Sequence, residues 1–366
     1  MAALPPALTI RSVGVRAVDA PLDPPLRNSL NTIPRAPLVI AEVQTAEGPA
    51  GNAYVFPYTP AALGPTAALV RNIGATLAGR ALAPATLWAE LHNGFRILGT
   101  EGLVQIALSA LDMAMWDALA RAAGVPLCRL LGAEPRPLPA YASLRGWGAA
   151  MLAEEAGQAV AALGARVVKF KVGQPRLEDD LETVRAVRAA VGEGVEILVD
   201  YNQGLTRPEA ERRGRALQDL DVRWLEEPLP ADDDAGLAAL RQALHLPIQG
   251  GENWWGPRGM ERALAAGAVD LCMPDAMKIG GVTGWMQAAA IAAARRVPMS
   301  SHIFVEASAH LLPATPTAHL LEHLDIAGPL LHEPLVVRDG MAEVPARPGL
   351  GLDWDEAALR RWAAEV

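Results

Sequence analysis

The sequence predicts an α/β protein in which a parallel barrel follows a separate α+β unit. Three observations carry this prediction. From about residue 138 onward, strand-like and helix-like segments alternate every 20–30 residues. The first 135 or so residues lack this rhythm. Ionisable residues also close most of the predicted strands, as they do where an active site lies at the mouth of a barrel.

The first unit begins with strand-like segments and continues with helical ones. Strands are predicted at 8–18, 36–45 and 51–56, and helices at 60–79, 85–94 and 101–123. The last helix has an apolar face, and Gly124 and Pro126 end it. The Pro-rich segment 21–35 has no period; it is either a disordered linker or, as its place between two strands favours, a functional loop or lid.

The second unit alternates strands and amphipathic helices. Helices are predicted at 177–191 and 281–296, and strands at 139–144, 167–173, 196–203, 222–228, 247–253, 270–277, 298–304 and 319–324. Eight strands in this rhythm indicate a closed barrel. An open doubly wound sheet is the alternative, but no Gly-rich phosphate loop follows the first strand.

Composition limits the classes of function. The chain has 366 residues, a net charge of −9 and a pI near 5.4, which disfavour nucleic acid and anionic membranes as partners. We expect no membrane helix, since no apolar run reaches 18 residues, and no signal peptide. Cys128 and Cys272 stand in separate apolar stretches and are expected to be buried thiols, which suits a cytoplasmic location.

Lysine is rare in this chain and occurs in only two short segments. The chain has three lysines, Lys169, Lys171 and Lys278, against twenty-nine arginines. A lysine, unlike an arginine, can be driven into its neutral, proton-accepting form. On a strand, Lys169 and Lys171 lie on one face about 7 Å apart, and their mutual repulsion favours that form.

Seven of the eight predicted barrel strands, from 167–173 onward, carry an ionisable side chain at or near their ends. These side chains are Lys171, Asp200, Glu226, Glu252, Asp275, His302 and, less clearly, Glu322, separated by 29, 26, 26, 23, 27 and 20 residues. Asp200, Glu226 and Glu252 come from successive strands and are expected to converge. Three carboxylates without Cys or His favour Mg²⁺, or Mn²⁺, over Zn²⁺. Glu227 is the rival of Glu226 for this set. Since neighbouring residues on a strand face opposite ways, we expect only one of them to bind at the mouth and the other to point toward a helix or a basic partner.

On the other side of the barrel mouth, Asp275 can orient the His302 imidazole and raise its basicity. The remaining histidines do not have the spacing of a zinc site. Lys278, three residues past Asp275, is expected to have a structural role or to lie behind the site.

The chain resembles the mandelate racemase subgroup of the enolase superfamily over essentially its whole length. The matching strings are VVKFKVG, VDYNQ, WLEEP, GENW, MPDAMKIGGVTGW, MSSHIF and the Glu of LLEHLD. The resemblance implies a (β/α)7β modified TIM barrel over residues 136–330, an N-terminal α+β capping domain over 1–135, and a C-terminal segment, 331–366, that packs back on the cap. Lid loops are expected at about 21–35 and 52–59.

The resemblance also implies roles for residues. Asp200, Glu226 and Glu252 would bind Mg²⁺, and Lys171 and His302, the latter oriented by Asp275, would be bases on opposite faces of the α-carbon. A protonated Glu322 would donate a hydrogen bond to the developing enolate. The substrate carboxylate would meet Lys169, Asn202 and Ser143, while the lids would contribute Tyr54, Leu30 and Ile33. Tyr58 also matches the second lid loop.

The function implied is racemisation of a mandelate-like 2-hydroxy carboxylic acid through an enediolate, by a homo-oligomer, an octamer if the resemblance extends so far. The polar lid 27–35 leaves an acid-sugar dehydratase open as the alternative, in which His302 would protonate a departing hydroxyl. A Schiff-base lyase using Lys171 or Lys278, and a non-catalytic scaffold, are further alternatives. Both account less well for the full ring of acids and bases.

Overall fold

The N-terminal domain is a three-stranded antiparallel sheet packed on helices. The computed structural model describes residues 7–29 and 31–366, so Leu30 lies outside the described residues. The sheet has the order β1-β2-β3, and Pro60 begins the first helix, where its missing N–H is not needed. The elements are β1 Ile10–Arg27, β2 Thr32–Thr45, β3 Ala50–Val55, α1 Pro60–Ala75, α2 Pro84–Gly94, α3 Leu103–Ala122 and α4 Leu127–Leu130.

The segment 21–35 is a β-hairpin rather than the irregular loop expected from its prolines. β1 and β2 continue through it, with Leu26 opposite Ile33 and Arg27 opposite Thr32. A register shift between Pro21 and Leu26 accommodates the prolines, which cannot donate to the ladder. Asn28, Ser29 and Asn31 lie at the tip. The sequence hid this hairpin because an irregular ladder does not show period-2 alternation.

The second domain is a parallel barrel with its helices outside, which confirms the predicted fold class. Strands β4 to β9 run in sequence order, and β10 pairs with β4. The elements are β4 Leu138–Ser143, α5 Ala149–Leu163, β5 Val167–Lys171, α6 Leu177–Val191, β6 Glu196–Asp200, α7 Arg207–Gln218, β7 Val222–Glu226, α8 Asp234–Ala243, β8 Ile248–Gly250, α9 Gly256–Ala265, β9 Leu271–Cys272, α10 Ala276–Ile279, α11 Gly281–Arg295, α12 Val305–Leu311 and β10 Leu321–His323, with 3₁₀ turns at Leu312–Ala314 and Gly328–Leu330.

The seventh strand, expected at 298–304, is reduced to single bridges. Met299 bridges Cys272 on one side and Ala318 on the other, which links β9 to the chain leading into β10. Several other strands end two to five residues before their expected ends. The residues beyond those ends form the loops at the barrel mouth.

The barrel interior beneath the mouth is filled by a separate apolar cluster. Its buried members are Tyr141, Val167, Leu198, Trp224 and Leu320. Because Lys169 pairs with Leu198, and Leu198 with Trp224, these side chains form a layer at one level of the barrel. The layer closes the lower end of the site.

The C-terminal segment contacts both domains. A hairpin of β11 Val337–Arg338 and β12 Met341–Ala342 pairs with β4 of the barrel. Just before α13 Glu356–Arg361, the Trp354 indole donates to the Asn52 side chain of the cap at 2.6 Å. Just after the helix, Ala363 forms a β-bridge with Val18 of the cap. The first part of the segment thus extends the barrel sheet, and its later part contacts the cap.

Helix α3 connects the two domains. Within the described part of the chain it is the one helix long and apolar enough to cross a membrane, and 83% of its most apolar window is buried inside the protein. It packs on β3 and α11, as a core helix does. Buried Asp112 accepts hydrogen bonds from the Thr283 backbone N–H at 2.9 Å and hydroxyl at 2.6 Å, which fixes the cap on the barrel.

Candidate active site

The carboxyl ends of β6 to β8 bring three acids together. Asp200 and Glu226 are the last residues of β6 and β7, and Glu252 lies two residues past β8. One oxygen of each carboxylate lies within 4.8 Å of the others, and all three residues are buried. Adjacent parallel strands in register place their last side chains side by side, which is why residues 26 apart in the chain meet here.

This cluster fits a divalent cation. Burial, followed by the neighbouring carboxylates, raises the pKa of Glu226 to about 8 even though Lys169 opposes the rise. Three buried oxygen ligands of this kind repel one another unless a hard cation neutralises them. Asp200, Glu226 and Glu252 are therefore the residues that would hold Mg²⁺.

Lys169 lies between the acids at the floor of the mouth. Its ammonium donates to Glu226 and contacts Glu322 at 2.8 Å, with the Tyr141 ring 5.3 Å below. Burial alone would lower the pKa of Lys169, but the carboxylates of Glu226 and Glu322 raise it well above its usual value. Lys169 is therefore a fixed positive charge rather than a base.

Lys171, two residues further along β5, has a different environment. Its Nζ lies 4.0 Å from Asp200 Oδ2, and it lines the same cavity as His302. The sequence predicted both lysines on one face, and the structure gives them different neighbours. Lys169 contacts two carboxylates closely, whereas Lys171 lies 4.0 Å from one, so its predicted role as a base remains a prediction.

His302 is held between two acids. Its Nδ1–H donates to Asp275 Oδ2 at 2.6 Å, and its Nε2 lies 3.1 Å from Glu252 Oε2. The other Asp275 oxygen accepts from the backbone N–H groups of Met277 and Lys278 and so caps α10. Burial would lower the pKa of His302, but Glu252 and Asp275 raise it well above 6.5 overall.

Glu322 lies at the mouth between two positive charges. It contacts Lys169 and lies 3.9 Å from His302. Burial would raise the pKa of Glu322, but the charges of Lys169 and His302 lower it to about 2. The Ile303 backbone N–H also donates to Glu322 Oε2 at 2.9 Å. Its role as a hydrogen-bond donor to an enolate stays a prediction, since it requires a proton that these neighbours disfavour.

Two of the predicted substrate contacts lie at strand ends. The Asn202 amide donates to Asp200 Oδ2 at 2.8 Å, and its Oδ1 has no partner among the described residues. Ser143 ends β4 opposite Lys169, on the same face as Tyr141, and its buried hydroxyl has no hydrogen-bond partner within residues 7–29 and 31–366. A substrate oxygen would satisfy such groups.

The lid contacts are partly different from those expected. Tyr54 does not line the cavity; its hydroxyl donates to Glu306 at 2.7 Å behind the site. Phe56 and Tyr58, just past the end of β3, line the cavity instead. Ile33, which belongs to the hairpin, also lines the cavity, while Leu30 is outside the described residues. The alternation of AYVFPYTP gives all three aromatic residues one face, so only the position of the strand end distinguishes them.

The cavity has a mixed polar and apolar lining. Its volume is about 80 Å³. The charged and polar lining residues are Lys169, Lys171, Asn202, Glu252, His302, Glu322, Asn28 and Tyr58, and the apolar ones are Leu26, Ile33, Phe56, Ile303, Leu324 and Ile326. A larger cleft of about 520 Å³ lies near Trp88 and Trp255, but the acids and bases described above do not line it.

Strained backbone surrounds the mouth. Asn202 has φ 43°, Glu227 has φ 37° and Ile303 has φ 32°, in the left-handed region that β-branched residues rarely adopt. Such strain persists where the surroundings fix it and is common at functional sites. Here the Ile303 conformation aims its N–H at Glu322 and its side chain at the cavity.

The chain matches two family models over most of its length. The model described as "Mandelate racemase / muconate lactonizing enzyme, N-terminal domain" matches residues 10–132. The model described as "Enolase C-terminal domain-like" matches residues 151–358.

Solved structures and characterised relatives agree with this placement. An enolase from Bradyrhizobium, crystallised with magnesium and mandelic acid, is 46% identical, with a TM-score of 0.95 and full coverage of both chains. The L-talarate/galactarate dehydratase of Salmonella typhimurium is 35% identical over 75% of this chain and 68% of its own. Its structure with Mg and L-lyxarohydroxamate has a TM-score of 0.91 and covers 100% of this chain and 95% of the dehydratase.

A third relative carries out a different reaction. The 3,6-anhydro-alpha-L-galactonate cycloisomerase of Streptomyces coelicolor is 30% identical over 89% of this chain and 91% of its own. Related proteins thus act on different substrates, while the fold and the acidic cluster are those of Mg²⁺ enzymes. This chain belongs to the mandelate racemase / muconate lactonizing enzyme family of the enolase superfamily.

Proposed function

We propose that the protein is a Mg²⁺-dependent racemase of a 2-hydroxy carboxylic acid with an apolar, mandelate-like substituent. The observation that carries the proposal is a single cavity lined by both Lys171 and His302 and, besides these and other polar groups, by six apolar side chains. Apolar lining accepts a ring or alkyl group, whereas each sugar hydroxyl needs a polar partner.

The chemistry follows from the placement of the bases. When bound, Mg²⁺ would supply electrophilic stabilisation to the substrate carboxylate. Lys171 removes the α-proton from one face, and protonated His302 delivers a proton to the other face, which inverts the centre. In the reverse direction the two residues exchange roles.

The negative charge that develops on the substrate must be stabilised by fixed groups. Lys169 is a permanent positive charge in the lining of the cavity. The Ser143 hydroxyl and the Asn202 Oδ1 atom have no hydrogen-bond partner among the described residues and could contact the substrate carboxylate. Such preorganised charge is usually the largest contribution to catalysis. Glu322 and Glu226 hold the Lys169 ammonium in position.

The test is α-proton exchange in D₂O. With Mg²⁺ and a mandelate-like acid, NMR should show deuterium incorporation and polarimetry should show loss of optical rotation. Lys171→Ala should abolish exchange from one enantiomer and His302→Asn from the other. Lys171→Arg is the matched control that keeps the charge but not the base, and it should behave like Lys171→Ala. Exchange from both enantiomers in Lys171→Ala would exclude the two-base mechanism.

The second candidate is an acid-sugar dehydratase. The relative that acts as an L-talarate/galactarate dehydratase favours it. The polar tip of the hairpin, with Asn28 lining the cavity, also favours it. In that reaction His302 would protonate a leaving hydroxyl. A screen of 2-hydroxy acids and aldonic acids distinguishes the two, because deuterium incorporation without loss of water indicates a racemase and a 2-keto-3-deoxy product indicates a dehydratase.

A further inference from the structure

Lys278 is a buried lysine beside the site that the proposed reaction does not use. Its side chain comes from α10, the short helix that Asp275 caps, and the residue is 6% exposed. Its Nζ donates to Asn253 Oδ1 at 2.6 Å. The same ammonium lies 4.7 Å from the centre of the Tyr58 ring and 5.9 Å from that of Trp255.

The contact with Lys278 fixes the orientation of the Asn253 amide. An ammonium has only donors, so the amide oxygen must face it and the amide NH₂ must face away. The Asn253 NH₂ then donates to Glu227 Oε2 at 2.7 Å and to Glu252 Oε1 at 3.3 Å. With Oε1 held in this way, Glu252 directs Oε2 toward His302.

The other side of the ammonium contacts the capping domain. Tyr58 follows β3, has φ 59°, and lines the substrate cavity together with Phe56, whose ring centre is 4.8 Å away. A cation over an aromatic face is attracted to it, more strongly where water is excluded. One charge in the barrel therefore contacts both a residue that holds Glu252 and the ring that covers the substrate.

We propose that Lys278 is a positioning residue that holds the Mg²⁺ ligand Glu252 through Asn253 and couples it to the Tyr58 ring of the cap. The inference concerns the metal site of the proposed function, but it holds whether the enzyme racemises or dehydrates its substrate. In this role Lys278 neither contacts the substrate nor transfers a proton.

The first test measures Mg²⁺ binding by calorimetric titration of the full metal-free chain without substrate. Lys278→Met should raise the Kd for Mg²⁺ about 10–100-fold, the usual effect of removing a group that orients a metal ligand. Asn253→Ala should act in the same direction. Met277→Leu, a buried and volume-conserving change next to Lys278, should leave the Kd within about twofold.

The second test measures the coupling to the cap. Tyr58→Leu should raise the Kd for Mg²⁺ about 2–5-fold in the wild-type background, the range expected for losing a cation–π contact. The same change should have no effect in the Lys278→Met background, because the contact is already absent.

Several outcomes would overturn the proposal. One is a Lys278→Met protein with a lower melting temperature but an unchanged Kd for Mg²⁺, since that would be a purely structural role. If Lys278→Met does not fold, an unchanged Kd in Asn253→Ala decides against it. An equal rise in Met277→Leu would also overturn it. Failure of every 2-hydroxy acid and sugar acid to react would refute the proposed function and leave these binding results intact.

Discussion

The two ring nitrogens of His302 face different acids, and this asymmetry determines its role. Asp275 accepts from Nδ1, so Nε2 is the nitrogen left for the proton transfer that the proposed function requires. Asp275 also caps α10, so one carboxylate ties the orientation of the base to the start of a helix.

Asp275→Asn should separate these two functions. The Asn carbonyl oxygen can still accept from the Met277 and Lys278 N–H groups, so α10 keeps its cap. His302 loses the carboxylate that raises its basicity, and turnover that depends on His302 should fall about 10²–10⁴-fold. Deuterium exchange of each enantiomer, followed by NMR, checks this.

Exchange through Lys171 should persist in the same variant. Asp112→Asn, which changes a buried acid at the cap–barrel contact instead, is the control and should retain turnover. Equal loss of exchange from both enantiomers in Asp275→Asn would show that Asp275 acts on the whole site rather than on His302.

His310 is a buried histidine outside the site. Burial lowers its pKa to about 4, whereas an unfolded histidine has a pKa near 6.5. The folded state therefore binds its proton less readily, and stability is lost as the pH falls from about 6.5 toward 4.

His310→Leu should remove this part of the pH dependence. When the pH is lowered from about 7 to 5, the free energy of unfolding of the wild type should fall by about 2 kcal/mol more than that of the variant. Urea denaturation at both pH values measures the difference. The exposed His245, changed to Leu, is the control and should show the wild-type slope. An identical slope in His310→Leu would mean that His310 does not titrate over this interval.

At the scale of elements, the hairpin formed by β1 and β2 contributes apolar side chains to the cavity. Leu26 and Ile33 are paired across the ladder and both line the cavity. The backbone N–H of Arg27 donates to the Arg145 carbonyl at 3.0 Å, so the hairpin is tied to the loop after β4. Under the proposed function, this strand pair would therefore contribute to substrate specificity.

Ile33→Asn should test whether the hairpin contacts the ring of a mandelate-like substrate. Losing the contact of this partly buried side chain with a ring costs about 1 kcal/mol, which is roughly a 5-fold rise in KM for a mandelate-like acid. For a small 2-hydroxy acid without a ring, KM should be nearly unchanged. Steady-state kinetics on both acids measures the ratio. A matched rise for both acids would show that Ile33 shapes the lid rather than contacting the ring.

At the scale of the whole molecule, the barrel mouth collects an excess of negative charge. Asp200, Glu226, Glu227, Glu252, Asp275 and Glu322 are six buried acids, and they face three buried lysines and His302. If all ten groups are charged, the site has a net charge of −2, which a single Mg²⁺ balances. The folded state and the bound metal should therefore be thermodynamically linked.

Removing Mg²⁺ should destabilise the protein. A metal at about 100 times its Kd adds about 2.7 kcal/mol of unfolding free energy if the unfolded chain does not bind it. Thermal melts with EDTA and with Mg²⁺ measure the shift. Glu252→Gln should remove most of it, and Glu182→Gln, an exposed acid on α6, should not. A shift that persists in Glu252→Gln would take Glu252 out of the ligand set.

Much of the site was accessible from the sequence because the barrel has a simple rule. Parallel strands present their carboxyl ends at one mouth, so the order of Lys171, Asp200, Glu226, Glu252, Asp275 and His302 along the chain becomes a ring in space. The type of each group then indicates hard-metal binding and proton transfer. Neither inference requires knowing a side-chain conformation.

Other features depended on contacts between distant segments. The 21–35 hairpin, the choice of Tyr58 rather than Tyr54 at the cavity, and the link from Lys278 through Asn253 to Glu252 join residues far apart in the chain. No local pattern encodes them.

The sequence by itself determined which chemical groups reach the barrel mouth, since strand periodicity and order are local properties. Only the tertiary structure decided their neighbours and the charges around each of them. Lys169 and His302 lower the pKa of Glu322 because they surround it in a buried site, and such electrostatic effects depend on distances that no linear spacing specifies.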